Sequence, residues 1–191
     1  VDRSMLAQLD EVLVEATAAY DDYDYTRALD RIETFFWHFC DDYVELVKGR
    51  AYGDGPAAES AKAALATALS ALQRALAPFL AFVTEEAWSW WQEGSIHRQS
   101  WPTPQGVDGD PLVFDVAADA MTQVRKAKTE AQRSLRNKVA SATITDTPER
   151  VAALRAAEND IREAGSIIEL TIVEGEPAFD IVLADPEPKQ P

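Results

Sequence analysis

Cysteine and histidine are scarce in this chain. One cysteine, Cys40, leaves no partner for an internal disulfide and no Cys-rich zinc motif. Two histidines, His38 and His97, are too few and too far apart to suggest a metal site. No run approaches the ~18 consecutive apolar residues of a membrane-spanning helix. The opening VDRSMLAQLD lacks the basic-then-apolar pattern of a signal peptide. It also lacks an initiator Met and starts as if already inside a helix, which suggests a piece of a longer protein. A reducing cytoplasm suits the lone thiol. Cations are the other scarce class: 18 Lys and Arg against 33 Asp and Glu give a net charge of −15 over 191 residues. At face value such acidity argues against a nucleic-acid partner, because polyanions repel. A whole-chain average says little about one face, however.

The first hundred residues carry helical spacing. Leu6, Leu9, Leu13, Ala16 and Tyr20 recur every three or four residues over 4–20. The acidic string DDYDY (21–25) ends that helix, and Thr26 is the expected N-cap of the next. Over 27–48 one broad face holds Ala28, Leu29, Ile32, Phe35, Phe36, Phe39, Cys40, Tyr43, Leu46 and Val47. Arg27, Arg31, Thr34, His38, Asp41, Asp42, Glu45 and Lys48 share the opposite face, with Trp37 and Val44 at the border. Glycines at 49, 53 and 55 and Pro56 mark a turn. A third helix, 57–77, is Ala-rich with Leu65, Leu69, Leu72 and Leu76 in line. Pro78 breaks it, and Thr84 is the expected cap of a fourth helix bearing Trp88, Trp90 and Trp91. Four amphipathic helices with short connections predict an antiparallel four-helix bundle over 1–102.

PTPQGVDGDPL (102–112) reads as a linker, placed at 103–112. A small α/β unit, α-β-α-β-β, is expected over 113–185: a helix at 114–138, a strand at 140–146, a helix at 148–164 started by Pro148, and strands at 167–174 and 179–185 joined by EGEP as a hairpin. The fold class is therefore mainly α, a helical bundle followed by a small α/β appendage. A disordered tail is expected over 186–191.

Catalytic constellations do not emerge from the sequence. The glycines lack the context of a phosphate loop, and Cys40 sits on an apolar helix face, as inert core cysteines do. Asp21/Asp22 and Asp41/Asp42 read as solvated caps and faces. No catalytic residue and no metal ligand is assigned. One segment opposes the global charge. RKAKTEAQRSLRNK (125–138) sets six cations against one carboxylate, a local charge of +5. As one helix it would place Arg125, Lys126, Lys128, Arg133 and Arg136 within an arc of ~160°. Ala120, Val124, Ala127, Ala131 and Leu135 would lie opposite. Such a basic stripe is how a phosphate contact is built into an acidic protein. It could equally be a solvated face paired with the chain's own carboxylates.

Three strings go beyond pattern: FFWHFCDDYVELVKGR (35–50), LAPFLAFVTEEAWSWW (76–91) and GSIHRQSWP (94–102). The first carries Cys40, Asp41, Tyr43, Glu45 and Lys48. The second carries Leu76, Pro78, Phe79, Thr84, Glu85, Glu86 and Trp88, and the third Ser95, Ile96, His97, Trp101 and Pro102. In this order and spacing, residues 26–102 resemble the anticodon-binding domain of class I aminoacyl-tRNA synthetases, with the valyl enzymes the best match. The isoleucyl and leucyl enzymes, or a non-catalytic helical interaction module, stay as alternatives. The later strands fit the appendage of the valyl and isoleucyl enzymes more loosely.

The resemblance implies the C-terminal part of an enzyme that joins valine to its tRNA using ATP and Mg. These residues would supply anticodon stem-loop recognition, with no aminoacylation activity and no cofactor of their own. Partners implied are the valine-acceptor tRNA and the catalytic and editing domains of the same chain, in a cytoplasmic monomer. No heptad run of the kind that forms the C-terminal coiled coil of many valyl enzymes is present here. Unstacked anticodon bases are read by exposed aromatics, arginines and hydrogen-bonding groups. That points to Arg27, Arg31, Trp37 and Lys48 on or beside the polar face of the second helix, and to Arg50 just after it. Arg125, Lys126, Lys128, Arg133 and Arg136 are the candidates for stem phosphates.

Overall fold

The computed structural model describes residues 1–185, so the tail expected at 186–191 lies outside the described residues. Helix α1 spans Asp2–Asp21. A single helical run then covers 25–51 and divides into α2 (Tyr25–His38), one π turn (Phe39–Tyr43) and α3 (Val44–Ala51). Its cap is Asp24, whose carboxylate accepts the Arg27 N–H at 3.1 Å, not the expected Thr26, which lies inside the first turn. The apolar face read from the sequence is the buried one: Ala28, Ile32, Phe35, Phe39, Tyr43, Leu46 and Val47 are all core.

Helix α4 (Pro56–Leu76) follows Gly55, whose φ of +89° suits glycine. Its buried seam is alanine, at 58, 61, 64, 68, 71 and 75, joined by Leu72 and Leu76. The expected leucine line is only half realised, because Leu69 is exposed and Leu65 half-buried. Small side chains let α4 approach α1 and α2–α3 closely, and the leucines then fall at the flank. Helix α5 (Ala81–Ser89) starts three residues before Thr84, whose hydroxyl donates back to the Leu80 carbonyl at 2.8 Å instead of capping. The helix holds Trp88, which is buried with Ala77 and Ile96, whereas Trp90 and Trp91, expected on the same helix, lie beyond its end and are exposed.

Residues 103–110 lie along α1. Backbone N–H groups of Gln105 and Val107 donate to the Asp10 carboxylate at 2.8 and 3.1 Å, and Arg3 Nε donates to the Asp108 carbonyl at 2.8 Å. Gly109 passes so close to the Arg3 carbonyl that a Cβ would overlap it. Helix α6 (Pro111–Glu130) is capped by Asp110 and fixed to α1 by Ser4, whose hydroxyl donates to the Pro111 carbonyl and accepts the Phe114 N–H. One apolar core then runs from Met5, Leu13, Ile32, Tyr43 and Leu72 through Phe114 to Val139, Ile144, Leu154 and Ile161.

Strand β1 (Val139–Asp146) is followed by α7 (Pro148–Ala156), α8 (Glu158–Gly165), β2 (Ile167–Glu174) and β3 (Ala178–Leu183). The single helix expected over 148–164 is broken at Ala157. The expected hairpin is also replaced: the sheet order is β2-β1-β3, with β1 parallel to β2 and antiparallel to β3. The parallel pair is possible because α7 and α8 supply the crossover it needs. The EGEP connection passes the end of β1, where the Gly175 N–H donates to the Asp146 carbonyl at 3.0 Å, and delivers β3 to the far side.

Candidate nucleic-acid interface

The positive segment at 125–138 is not one helix. Helix α6 stops at Glu130 because Gln132 adopts a left-handed φ of +53°. The Gln132 N–H then donates to the Thr129 carbonyl at 2.9 Å and the Arg133 N–H to the Lys128 carbonyl at 2.8 Å. This pair of bonds is the Schellman closure of a helix, which usually places glycine where Gln132 stands. Arg133 and Arg136 therefore project from a loop, not from a helical stripe. Both are exposed, and neither makes an ion pair among the described residues.

Lys128, expected on the same stripe, is turned inward and only 2% exposed. Its ammonium donates to the carbonyls of Leu135 and Gly165, both at 3.0 Å. It thereby pins the 131–138 loop to the C-terminal end of α8. Burial pushes its pKa down. Arg125 is engaged by Asp42 at 2.7 Å, and the same carboxylate holds His38 Nδ1 at 2.9 Å. Lys126 stays solvated, with only a 4.0 Å approach to Glu130.

A cleft of about 440 Å³ opens between α3, the second half of α6, the 131–138 loop and α8. It gathers four residues that the sequence assigned to two separate groups: Lys48 from α3, Arg125 and Lys128 from α6, and Arg136 from the loop. Met121, Val124, Leu135 and Ala164 supply its apolar lining, and Glu45 and Glu163 its carboxylates. Lys48 is paired to Glu45 within α3. Leu135, read as an apolar-face residue of a long helix, is instead 60% exposed. The sequence carried no signal for this wall, because Gly165 and Ala164 reach Lys128 and Met121 only through the sheet crossover.

The other candidates do not reach the cleft's lining. Arg27 sits on Asp22 and Asp24 at 3.1 and 3.6 Å, and Arg31 on Glu15. Trp37 is 55% exposed on α2, with its ring edge against Phe36. Arg50, expected to be exposed beyond the helix, is enclosed. Its guanidinium bridges Asp2 (2.7 and 2.8 Å) and Asp160 (2.9 and 3.1 Å), which raises its pKa. His38 also departs from the solvated face assigned to it: it is half-buried, with its ring stacked on Phe114 at 4.2 Å. Among the described residues no group of His, Cys, Asp or Glu is placed to hold a metal ion, and no helix is long and apolar enough to cross a membrane.

Comparison with known proteins agrees with the helical half of this arrangement. Residues 2–144 match the family described as the anticodon-binding domain of tRNA ligase. The chain is 47% identical to a valine–tRNA ligase of Salinispora arenicola (strain CNS-205), over 92% of this chain and 23% of that protein. Identity to the valine–tRNA ligase of Leifsonia xyli subsp. xyli (strain CTCB07) is also 47%, over 97% of this chain and 22% of that protein. With the enzyme of Thermobifida fusca (strain YX) it is 46%, over 98% and 22%. The chain thus spans under a quarter of the length of the curated relatives it matches. With a family match that takes in α1 through most of β1, this chain belongs to the anticodon-binding domain family of tRNA ligases.

Proposed function

We propose that this chain is the tRNA-contacting, non-catalytic part of a valine–tRNA ligase, and that it docks the anticodon stem and loop. In this reading residues 1–102 form the anticodon-binding bundle and 113–185 its α/β companion. ATP, Mg and valine are handled by other domains of the same polypeptide, in a cytoplasmic enzyme acting as a monomer. The exposed apolar side chains of Phe82 in α5 and of Trp90 just after it support a surface that those domains cover.

The observation that carries the reading is the pair Arg133 and Arg136. They are exposed cations without carboxylate partners among the described residues, in the loop whose Arg136 lines a cleft with three further cations, in a chain of net charge −15. Phosphate contact is the electrostatic use of such a pair. Lys126 extends the track along α6, and Trp37 offers an exposed indole on which a base can stack. The surrounding acidity repels other docking poses and so narrows the allowed one.

Reversing both loop arginines, R133E with R136E, is expected to weaken binding of valine tRNA at least tenfold. It should also lower the log–log salt slope by about two. The melting temperature should not move, because neither side chain has a partner among the described residues. Filter binding at a series of salt concentrations measures both quantities, and an unchanged slope would show that the arginines do not meet phosphate. Competition between valine and isoleucine tRNAs tests specificity, since equal displacement would remove the valyl assignment.

A further inference from the structure

The cleft holds more than a set of charges. Its volume, about 440 Å³, falls in the ~300–1,000 Å³ range of sites for small organic ligands. Its lining is amphipathic: Met121 and Val124 are buried apolar residues, and Ala164 lies beside them. Lys128 contributes an ammonium from the wall. A lysine ammonium has three donors, and two are used, on the carbonyls of Leu135 and Gly165. The third has no acceptor among the described residues, although the side chain is almost wholly buried and lines the cleft.

We propose that this cleft is a pocket for one unstacked nucleotide of the bound RNA, its base against Met121, Val124 and Ala164 and a base-edge acceptor on the Lys128 ammonium. The inference rests on the tRNA-binding reading and adds a place where a single base is held. The cleft's cations are largely engaged already: Lys48 by Glu45, Arg125 by Asp42, and Lys128 by two carbonyls. The interior thus offers one N–H of Lys128, which suits a single acceptor on a neutral base edge. Arg136 at the exposed edge is placed for the flanking phosphate. Pyrimidines and guanine carry carbonyl acceptors that suit an unfilled N–H, and burial of the ammonium makes that partner more favourable. No aromatic side chain among the described residues lines the cleft, so the ring face would be met by apolar groups and by the Arg125 guanidinium. Bases are available in this form only where RNA is single-stranded or looped out.

The two methionines of the chain make the test direct. Met121 lines the cleft, while Met5 is buried in α1 and does not. With ¹³C-methyl-labelled methionine, titration of the 191-residue chain with valine tRNA should give a ring-current shift of the Met121 methyl signal and leave Met5 in place. Ala164→Phe, which fills the cleft without altering charge, should abolish the Met121 shift and weaken affinity about tenfold, yet leave the salt slope unchanged. The Met5 signal reports whether that variant is folded, and the unmodified chain carries the test if it is not. Binding of tRNA with a silent Met121 would overturn the pocket while leaving the tRNA reading intact. Absence of any tRNA binding would overturn both. A Met121 shift produced by nucleoside monophosphates and not by tRNA would make the cleft a free-nucleotide site and overturn the proposal as well.

Discussion

Phe114→Ala is expected to destabilise the chain by about 3–5 kcal/mol, the usual cost of emptying a buried phenylalanine site. Phe114 has no exposed surface. Its ring stacks on His38 at 4.2 Å and meets Tyr43 edge-on at 5.7 Å. It therefore joins α6 to the 25–51 helical run at the point where the π turn begins. The neighbours cannot collapse into the space, because α6 is also held by its backbone: the Phe114 N–H donates to Ser4 and the Pro111 carbonyl accepts from Ser4 and Gln8. For a chain of this length such a loss lowers the melting temperature by roughly 10 °C. Phe114→Leu, which keeps most of the volume, should cost under about 1.5 kcal/mol. Urea unfolding of the three proteins checks this, and a Phe114→Ala cost below about 1 kcal/mol would mean that α6 is not seated as described. Because α6 carries Arg125, Lys126 and Lys128, the same variant should also loosen the cleft.

Arg50→Met is expected to cost a similar amount, about 3–5 kcal/mol, for an electrostatic reason. The Arg50 side chain is 16% accessible, and its partners Asp2 and Asp160 are 10% and 12% accessible. The fork bridges two carboxylates from α1 and α8, and one Nη also donates to the Ala57 carbonyl in α4. Tyr43 donates to Asp2 at 2.8 Å and Ser60 donates to the same carboxylate. Four helices thus meet on one guanidinium. Removing it leaves two enclosed carboxylates with reduced compensation. Arg50→Lys should be intermediate, because an ammonium cannot span both partners as a planar fork does.

The pH dependence follows from Asp2. Burial alone would push its carboxyl up, but hydrogen bonds from Arg50, Ser60 and Tyr43 outweigh that and hold it below the usual aspartate value. A carboxyl with a depressed folded pKa stabilises the fold at pH above its ordinary value of about 3.9. That stabilisation is lost as the pH falls through the folded value. The stability difference between the parent chain and Arg50→Met should therefore be constant near neutral pH and shrink on acidification, beginning as Asp2 takes up a proton in the variant, where burial is less opposed, and continuing as it does so in the parent. A difference that grew in acid would contradict the network.

These two residues also mark how far the sequence could be read. The buried face of the 25–51 run was legible because a 3.6-residue period is preserved through Phe35, Phe39 and Tyr43 even where one π turn intervenes. The positive segment was legible as composition. Its shape was not, since helix α6 ends on a glutamine in the left-handed region, and neither glycine nor proline announces the stop. Arg50 looked exposed because its carboxylates are 48 residues before it and 110 after it. The inward turn of Lys128 depends on the carbonyl of Gly165 in the same way. Strand order was hidden for a further reason: β2 and β3 are adjacent in sequence with turn residues between them, and only the pairing of both with β1 shows that the connection crosses a strand end. The Ala seam of α4 was visible as composition, but the leucines beside it carried the stronger periodic signal.

We infer that tRNA meets this acidic chain on a narrow basic track beside the α3–α6 cleft. The most direct measurement is the affinity of the 191-residue chain for valine tRNA at about 50 and about 200 mM monovalent salt. Contact through Arg133, Arg136, Lys126 and one or two further cations predicts a log–log slope of about −3 to −5, so affinity should fall by roughly two to three orders of magnitude across that range. No detectable binding at the lower concentration, or binding indifferent to salt, would contradict the account.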